Sequence, residues 1–135
     1  MGSQAAAHAL APVTKVLVDE ADLVLAIAFG SLAVGRAGSE SDVDVGVLTE
    51  DPLDDRRRER LVRAIAQATG RPVDLVDLRS AGVPLLRTIL TTGTVLLRRD
   101  ATAHAQLVSQ MLADVEDFLP LRERLLRERR QRWIG

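Results

Sequence analysis

A strict alternation of side chains between residues 42 and 48 constrains this chain more than any other feature. Asp42, Asp44 and Gly46 occupy every second position, and valines fill the positions between them. Because successive side chains of a β-strand point to opposite faces, this period of two predicts a strand from Asp42 to Leu48 with one apolar face. The two aspartates then leave the other face with their backbones roughly 7 Å apart.

Two carboxylates on one strand face repel each other unless a positive charge lies between them. A divalent cation supplies that charge, and Mg²⁺ binds carboxylate oxygens while it keeps several of its waters. The alternative is a solvent-exposed strand face that carries two hydrated acids, and an Asp-x-Asp motif alone does not exclude it.

A glycine–serine pair precedes this strand. The apolar run Ala21–Phe29 predicts a buried strand that ends at Gly30, and Ser31–Ala37 predicts a short helix after it. At such a turn the main chain can come close to a phosphate, with backbone amides and the Ser31 hydroxyl as donors. An ordinary strand-to-helix turn, with Ser31 as the helix cap, stays open as the alternative.

The rest of the chain alternates between helical and extended patterns. We predict helices at Leu10–Glu20, Asp54–Thr69, Pro84–Thr92 and Ala101–Leu119, and strands at Val73–Leu78 and Thr94–Leu97, the last at a sheet edge. Pro120 interrupts the last helix, and a basic amphipathic piece follows it. This order predicts a small α/β or α+β sheet domain. At 135 residues we expect one domain over 1–135, with a core at about 10–100 and a C-terminal helical segment at 101–135.

The composition excludes several classes of function. There is no cysteine, which excludes disulfides, thiolate catalysis and Cys-ligated zinc. A net charge of −1 does not indicate a polyanionic partner, and one tryptophan with two phenylalanines disfavours broad stacking on nucleic-acid bases. No apolar stretch reaches the length of a membrane span, and the start lacks the order of a secretory signal, so we expect a cytoplasmic protein.

The spacing between Gly30-Ser31 and Asp42-Val43-Asp44 resembles the signature of the DNA polymerase beta-like nucleotidyltransferase superfamily. The similarity is greatest to its smallest, antitoxin-like branch, the MNT-domain proteins. The stretch Gly70–Leu78 is similar to the strand that carries the third carboxylate in that family. The resemblance covers roughly residues 10 to 100. It implies a polymerase beta palm-like nucleotidyltransferase fold, α+β, with a small mixed four-stranded sheet, helices packed on it and a long C-terminal helix.

The resemblance also implies roles for individual residues. In the family the glycine and serine hold a triphosphate, two aspartates bind Mg²⁺, and a third carboxylate binds the metal that faces the acceptor. These roles carry over to Gly30 and Ser31, to Asp42 and Asp44, and to Asp74, with two Mg²⁺ ions. The implied reaction is transfer of a nucleoside monophosphate, AMP from ATP, to a hydroxyl of a macromolecular acceptor.

The third carboxylate has two candidates. Asp74 and Asp77 lie three residues apart on one predicted strand, so their side chains point to opposite faces and only one can join the pair. The family's third acid matches the first acid of the strand, which is Asp74, and Asp77 stays the alternative.

One position departs from the family pattern. Many relatives carry an arginine where this sequence has Val34, which contributes no charge toward a triphosphate. Either Arg36 supplies the charge from a neighbouring position, or the triphosphate binds weakly.

Relatives in this branch act as antitoxins that adenylylate a partner toxin, commonly a HEPN-type protein, so the resemblance implies such a partner. Two alternatives remain, namely a non-catalytic antitoxin that acts by direct contact and a stand-alone transferase for a small hydroxylated molecule. The segment Arg122–Arg132, followed by Trp133 and Ile134, either packs back on the domain or docks a partner. We therefore also expect a homodimer or hetero-complex.

Overall fold

The computed structural model describes residues 2–35 and 41–115. In chain order its elements are α1 (Gly2–Val18), β1 (Leu23–Phe29), α2 (Gly30–Ala33), β2 (Val43–Thr49), α3 (Asp55–Thr69), β3 (Val73–Asp77), α4 (Val83–Thr92), β4 (Thr94–Arg98) and α5, a helix over residues 101–115. No helix of the described part is both long and apolar enough to cross a lipid bilayer.

The four strands form one mixed sheet in the order β3-β2-β1-β4. β1 runs antiparallel to both β2 and β4, whereas β2 and β3 are parallel. The predicted mixed four-stranded sheet is thereby confirmed, and β4 lies at an edge as expected.

Helices cover both faces of the sheet, and we name the faces by their cores. The first face packs against α1 and α3, and its buried strand residues include Ala26, Ala28, Val43, Val45, Val47 and Leu75. The second face packs against α4 and α5, and its buried strand residues are Leu25, Ile27 and Phe29. The valines of β2 point to the first face. Because side chains alternate along a strand, Asp44 and its neighbour Asp42 belong to the second face.

Two predicted boundaries shift by several residues in the structure. α1 begins at Gly2 rather than Leu10, since the alanine-rich start is a good helix former. α2 ends at Ala33 rather than Ala37, and Gly35 follows with a φ of 73°, a left-handed conformation that stops a helix. The predicted extension of α5 to Leu119, the basic segment after it and Trp133 lie outside the described residues.

A half-buried ion pair ties the connection between α1 and β1 to α3. The Arg57 guanidinium donates to both oxygens of Asp22, with 2.5 Å between Nη1 and Oδ2, and it also reaches Glu20 at 3.3 Å. The hydrogen bond from Arg57 holds the pKa of the Asp22 carboxyl below its usual value of 3.8. A forked guanidinium–carboxylate contact of this kind is stronger than a simple surface pair.

Replacing Asp22 with asparagine is expected to lower the free energy of unfolding by about 1–2 kcal/mol at neutral pH, after allowance for partial exposure. Because the folded-state pKa is depressed, this stabilisation is present above pH 3.8 and disappears as the pH falls through the folded value. Urea unfolding of wild type and Asp22→Asn at pH 7 and pH 3 measures the difference.

Glu59→Gln is the matched control, because the Glu59–Arg63 pair on α3 is about 70% exposed on both sides. We expect a change below about 0.5 kcal/mol for it. An Asp22→Asn effect that is equally small, or that persists undiminished at pH 3, contradicts the assigned role of the ion pair.

Candidate active site

The turn at Gly30-Ser31 lies where β1 ends and α2 begins. Gly30 has a φ of 75°, and a Cβ atom placed on it would lie 2.3 Å from Oδ2 of Asp44. The Ser31 side chain is exposed beside it. Glycine is thus required here both by the backbone conformation and by the close approach of a carboxylate.

The two aspartates of the alternating motif lie at the start of β2. Asp42 directly precedes the strand and is exposed, whereas Asp44 lies within it, pairs with Phe29 of β1 and is half-buried. The pairing with the last residue of β1 brings Asp44 next to the Gly30-Ser31 turn.

Asp74 is the register partner of Asp44 in the parallel β2–β3 pair. Side chains of register partners in neighbouring strands lie on the same face, so both carboxylates point to the second face of the sheet. Asp77 pairs with Val47, whose side chain belongs to the first face. The Asp77 carboxylate instead accepts a hydrogen bond from the Arg79 N–H at 3.0 Å, in the turn after β3. Asp74 therefore lies on the same face of the sheet as Asp44, and Asp77 does not.

The three carboxylates influence one another electrostatically. Burial raises the pKa of the Asp44 carboxyl above its ordinary value, and the negative charges of Asp74 and Asp42 raise it further. Within residues 7–35 and 41–115, no ion pair reaches any of the three carboxylates. A cluster of neighbouring carboxylates of this kind is suited to a cation.

In the described part of the chain, no group of three or more His, Cys, Asp or Glu side chains encloses a metal position by itself. That finding fits the chemistry of Mg²⁺, which uses one or two carboxylates together with water and substrate phosphates rather than an all-protein cage. The donor set is therefore appropriate for Mg²⁺ delivered with a nucleotide.

Asp42 and Asp74 are exposed, whereas Asp44 is half-buried. Two surface clefts of about 690 and 640 Å³ lie elsewhere, one between α5 and the far end of the β1–β2 pair, the other between α1 and α3. Neither is lined by Gly30, Ser31 or the three aspartates. Asp74 is exposed on an edge strand, so the second face can be approached there from solvent.

Two further positions, Val34 and Arg36, bear on the binding of a triphosphate. Val34 follows α2 and is 52% exposed, next to the Gly30-Ser31 turn. Arg36 lies outside the described residues. No role for Arg71 was predicted from the sequence, yet its guanidinium donates to the carbonyl oxygen of Ser41, the residue before Asp42. Only the pairing of β3 with β2 brings it there, and no local motif reveals such a pairing.

Comparisons with known proteins point in one direction. The family model described as "Polymerase beta, Nucleotidyltransferase" matches residues 12–102. The chain is 42% identical over 71 residues to the protein adenylyltransferase MntA of Shewanella oneidensis. The aligned segment covers 53% of this chain and 51% of that protein. The matched segment thus spans about half the length of this curated relative.

Two solved structures are similar over most of the chain. One is a toxin–antitoxin complex with AMP-PNP, with a TM-score of 0.75 and 30% identity over 87% of this chain and 94% of that one. Another is a tri-AMPylated HEPN toxin of Shewanella oneidensis in complex with an MNT antitoxin, with a TM-score of 0.69 and 26% identity over 95% and 98% of the two chains.

Proposed function

This chain belongs to the polymerase beta nucleotidyltransferase family, and on that premise we propose that it is a protein adenylyltransferase that transfers AMP from ATP to a hydroxyl of a partner toxin. The observation that carries the proposal is the placement of Asp44 and Asp74 side by side on neighbouring strands, with Gly30-Ser31 against Asp44. A nucleotide phosphate and an acceptor hydroxyl can meet at such a cluster.

ATP is the proposed donor, since a similar antitoxin structure holds AMP-PNP and the curated relative is an adenylyltransferase. Gly30 and Ser31 are both exposed at the turn, and Ser31 offers its hydroxyl as a donor to phosphate oxygens. Val34 adds no charge there, so binding of the triphosphate depends on these neutral donors, on Arg36 and on the metal.

Asp42, Asp44 and Asp74 would hold Mg²⁺ together with the triphosphate. Bound Mg²⁺ neutralises the charge on the phosphates and on the attacking and leaving oxygens of an in-line displacement. The acceptor oxygen forms a bond to the α-phosphorus, the bond from that phosphorus to the bridging oxygen breaks, and pyrophosphate leaves with the bond electrons. Asp74, which is exposed, would receive the proton that the hydroxyl loses.

A macromolecular acceptor can reach the site, because Asp74 is exposed and lies on an edge strand of the sheet. The AMPylated HEPN toxin in a similar complex points to a toxin of that class as the acceptor. On this basis the chain acts as the antitoxin of a toxin–antitoxin pair.

The decisive experiment incubates the chain with α-labelled ATP, Mg²⁺ and the product of the adjacent gene. We expect label on the partner and release of pyrophosphate, and neither with the double variant Asp42→Asn/Asp44→Asn. Absence of both products with wild type and every nucleoside triphosphate would disprove the transferase proposal.

A non-catalytic antitoxin is the second candidate, because exposed Val34 stands where many relatives carry an arginine. The same double variant separates the two functions. If it still neutralises the toxin in a growth assay as well as wild type does, contact alone is sufficient. If toxicity returns while the two proteins still co-purify, transfer is required.

Replacing Asp74 with asparagine is expected to lower the transfer rate by about 100-fold or more, as for loss of a general base or metal ligand. Asp77→Asn is the matched control on the same strand, because asparagine can still accept the hydrogen bond from the Arg79 N–H. We expect near wild-type transfer for it. A larger loss for Asp77→Asn than for Asp74→Asn contradicts the assignment of the third carboxylate.

A further inference from the structure

Both peptide groups that flank Asp42 are held by one short connection between α3 and β3. The Arg71 guanidinium donates a hydrogen bond to the carbonyl oxygen of Ser41 at 3.0 Å. The Val43 N–H donates to the carbonyl oxygen of Pro72 at 2.8 Å. The first bond holds the peptide before Asp42, and the second holds the peptide after it.

The position of the Asp42 side chain depends on that main chain. Asp42 precedes β2, it is exposed, and no hydrogen bond or ion pair reaches its carboxylate within the described ranges 7–35 and 41–115. β-sheet pairing with β3 begins only at Val43. A side-chain bond to the preceding carbonyl therefore supplies the restraint that the sheet does not.

Arg71 is itself well placed for this purpose. Arg71 is half-buried, and its main-chain N–H donates to the Thr69 hydroxyl at 3.3 Å. That hydroxyl in turn donates to the carbonyl of Ile65, a fully buried residue of α3, at 2.8 Å. The main chain at Arg71 is thus tied through Thr69 to the last turn of α3, a helix that packs on the first core of the sheet.

We infer that Arg71 is a positioning residue that fixes the main chain at Asp42 so that this carboxylate can bind the metal–nucleotide complex. The inference rests on the proposed function, because it assigns Asp42 a ligand role. Arginine suits the task because its planar, permanently charged group has several donors in fixed directions. Loss of a group that orients a metal ligand typically costs 10–100-fold in metal affinity or activity.

Arg71→Met tests the inference, with Arg79→Met as the matched control. Arg79 makes the same kind of bond at the other end of β2, where its guanidinium donates to the carbonyl of Thr49 at 2.5 Å. We would measure Mn²⁺ affinity by electron paramagnetic resonance in the presence of AMP-PNP, which allows no turnover, and thermal unfolding of the same samples. We expect Mn²⁺ affinity to fall by about 10-fold or more in Arg71→Met only.

The conservative variant Arg71→Lys keeps a donor toward Ser41 and is expected to recover much of the lost affinity. If Arg71→Met does not fold, Arg71→Gln replaces it, since glutamine keeps a polar group but is shorter. Equal Mn²⁺ affinities for wild type, the Arg71 variants and Arg79→Met overturn the inference and leave the proposed function standing. A wild-type chain that binds no Mn²⁺ with AMP-PNP and transfers no label overturns both.

Discussion

Replacing Gly30 with alanine is expected to reduce transfer by about 100-fold or more, even though the change adds a single methyl group. The new Cβ would lie 2.3 Å from Oδ2 of Asp44, so the carboxylate has to move by about 1 Å to reach normal contact. A misplacement of about 1 Å at a reacting centre is worth about 100-fold in rate. In addition, the φ of 75° costs an L-residue about 1–2 kcal/mol.

Gly70→Ala separates these two effects. Gly70 ends α3 with a φ of 67°, close to that of Gly30, but a Cβ there would meet no atom within 4 Å. We expect it to lose stability by about 1 kcal/mol and to retain transfer. Initial rates with labelled ATP and thermal unfolding of both variants give the comparison. If the two alanines reduce transfer equally, backbone strain and not displacement of Asp44 is the cause.

The sheet was largely predictable because the residues of β2 alternate between apolar and polar or small side chains. The alternation at 42–48 assigned one face to valines, and those valines are buried in the first core. β1 was predictable for a different reason, since an apolar run of its length is typical of a strand buried on both faces. Its side chains divide between the two cores.

The choice between Asp74 and Asp77 was only half predictable. A period of two separates them onto opposite faces, but it does not say which face meets Asp44. The answer depends on the register between β2 and β3, which places Asp74 opposite Asp44. Register follows from long-range packing, here the burial of Leu75 in the first core, and local sequence does not encode it.

Arg71 illustrates what local patterns leave out entirely. In the sequence it is one arginine between a helix-ending glycine and a proline, which is typical loop chemistry. Its contact with Ser41 joins residues 30 positions apart and exists only because β3 lies parallel to β2. The sequence reveals ligand types and their spacing along a strand, whereas the groups that orient those ligands come from the fold.

Replacing Asp44 with asparagine is expected to abolish transfer and, at the same time, to stabilise the metal-free protein. Transfer should fall by about 1,000-fold or more, since a metal ligand contributes several kcal/mol to charge stabilisation. The ionised carboxylate is unfavourable in the fold because burial and the neighbouring charges of Asp74 and Asp42 raise its pKa. Asparagine has the same shape without the charge, so we expect Tm to rise by about 2–4 °C in metal-free buffer at pH 7.

The stability difference between Asp44→Asn and wild type is expected to depend on pH. Because the folded-state pKa of Asp44 is raised above 3.8, the folded chain binds more protons than the unfolded one, and ionisation destabilises it as the pH rises through the folded value. The stability advantage of Asp44→Asn should therefore be present at pH 7 and vanish below about pH 3.8. Thermal unfolding of both proteins with EDTA across this range measures it.

Glu50→Gln controls for the loss of one negative charge, because Glu50 is an exposed carboxylate just beyond the other end of β2. We expect it to leave both transfer and Tm near wild type. Addition of Mg²⁺ and AMP-PNP should reverse the order of stability, because a ligand stabilises only the protein that binds it. Wild type would then gain and Asp44→Asn would not. If metal-free Asp44→Asn instead melts below wild type, favourable contacts stabilise this carboxylate in the fold. The prediction would then be wrong, and the electrostatic argument for a cation at the cluster would be lost.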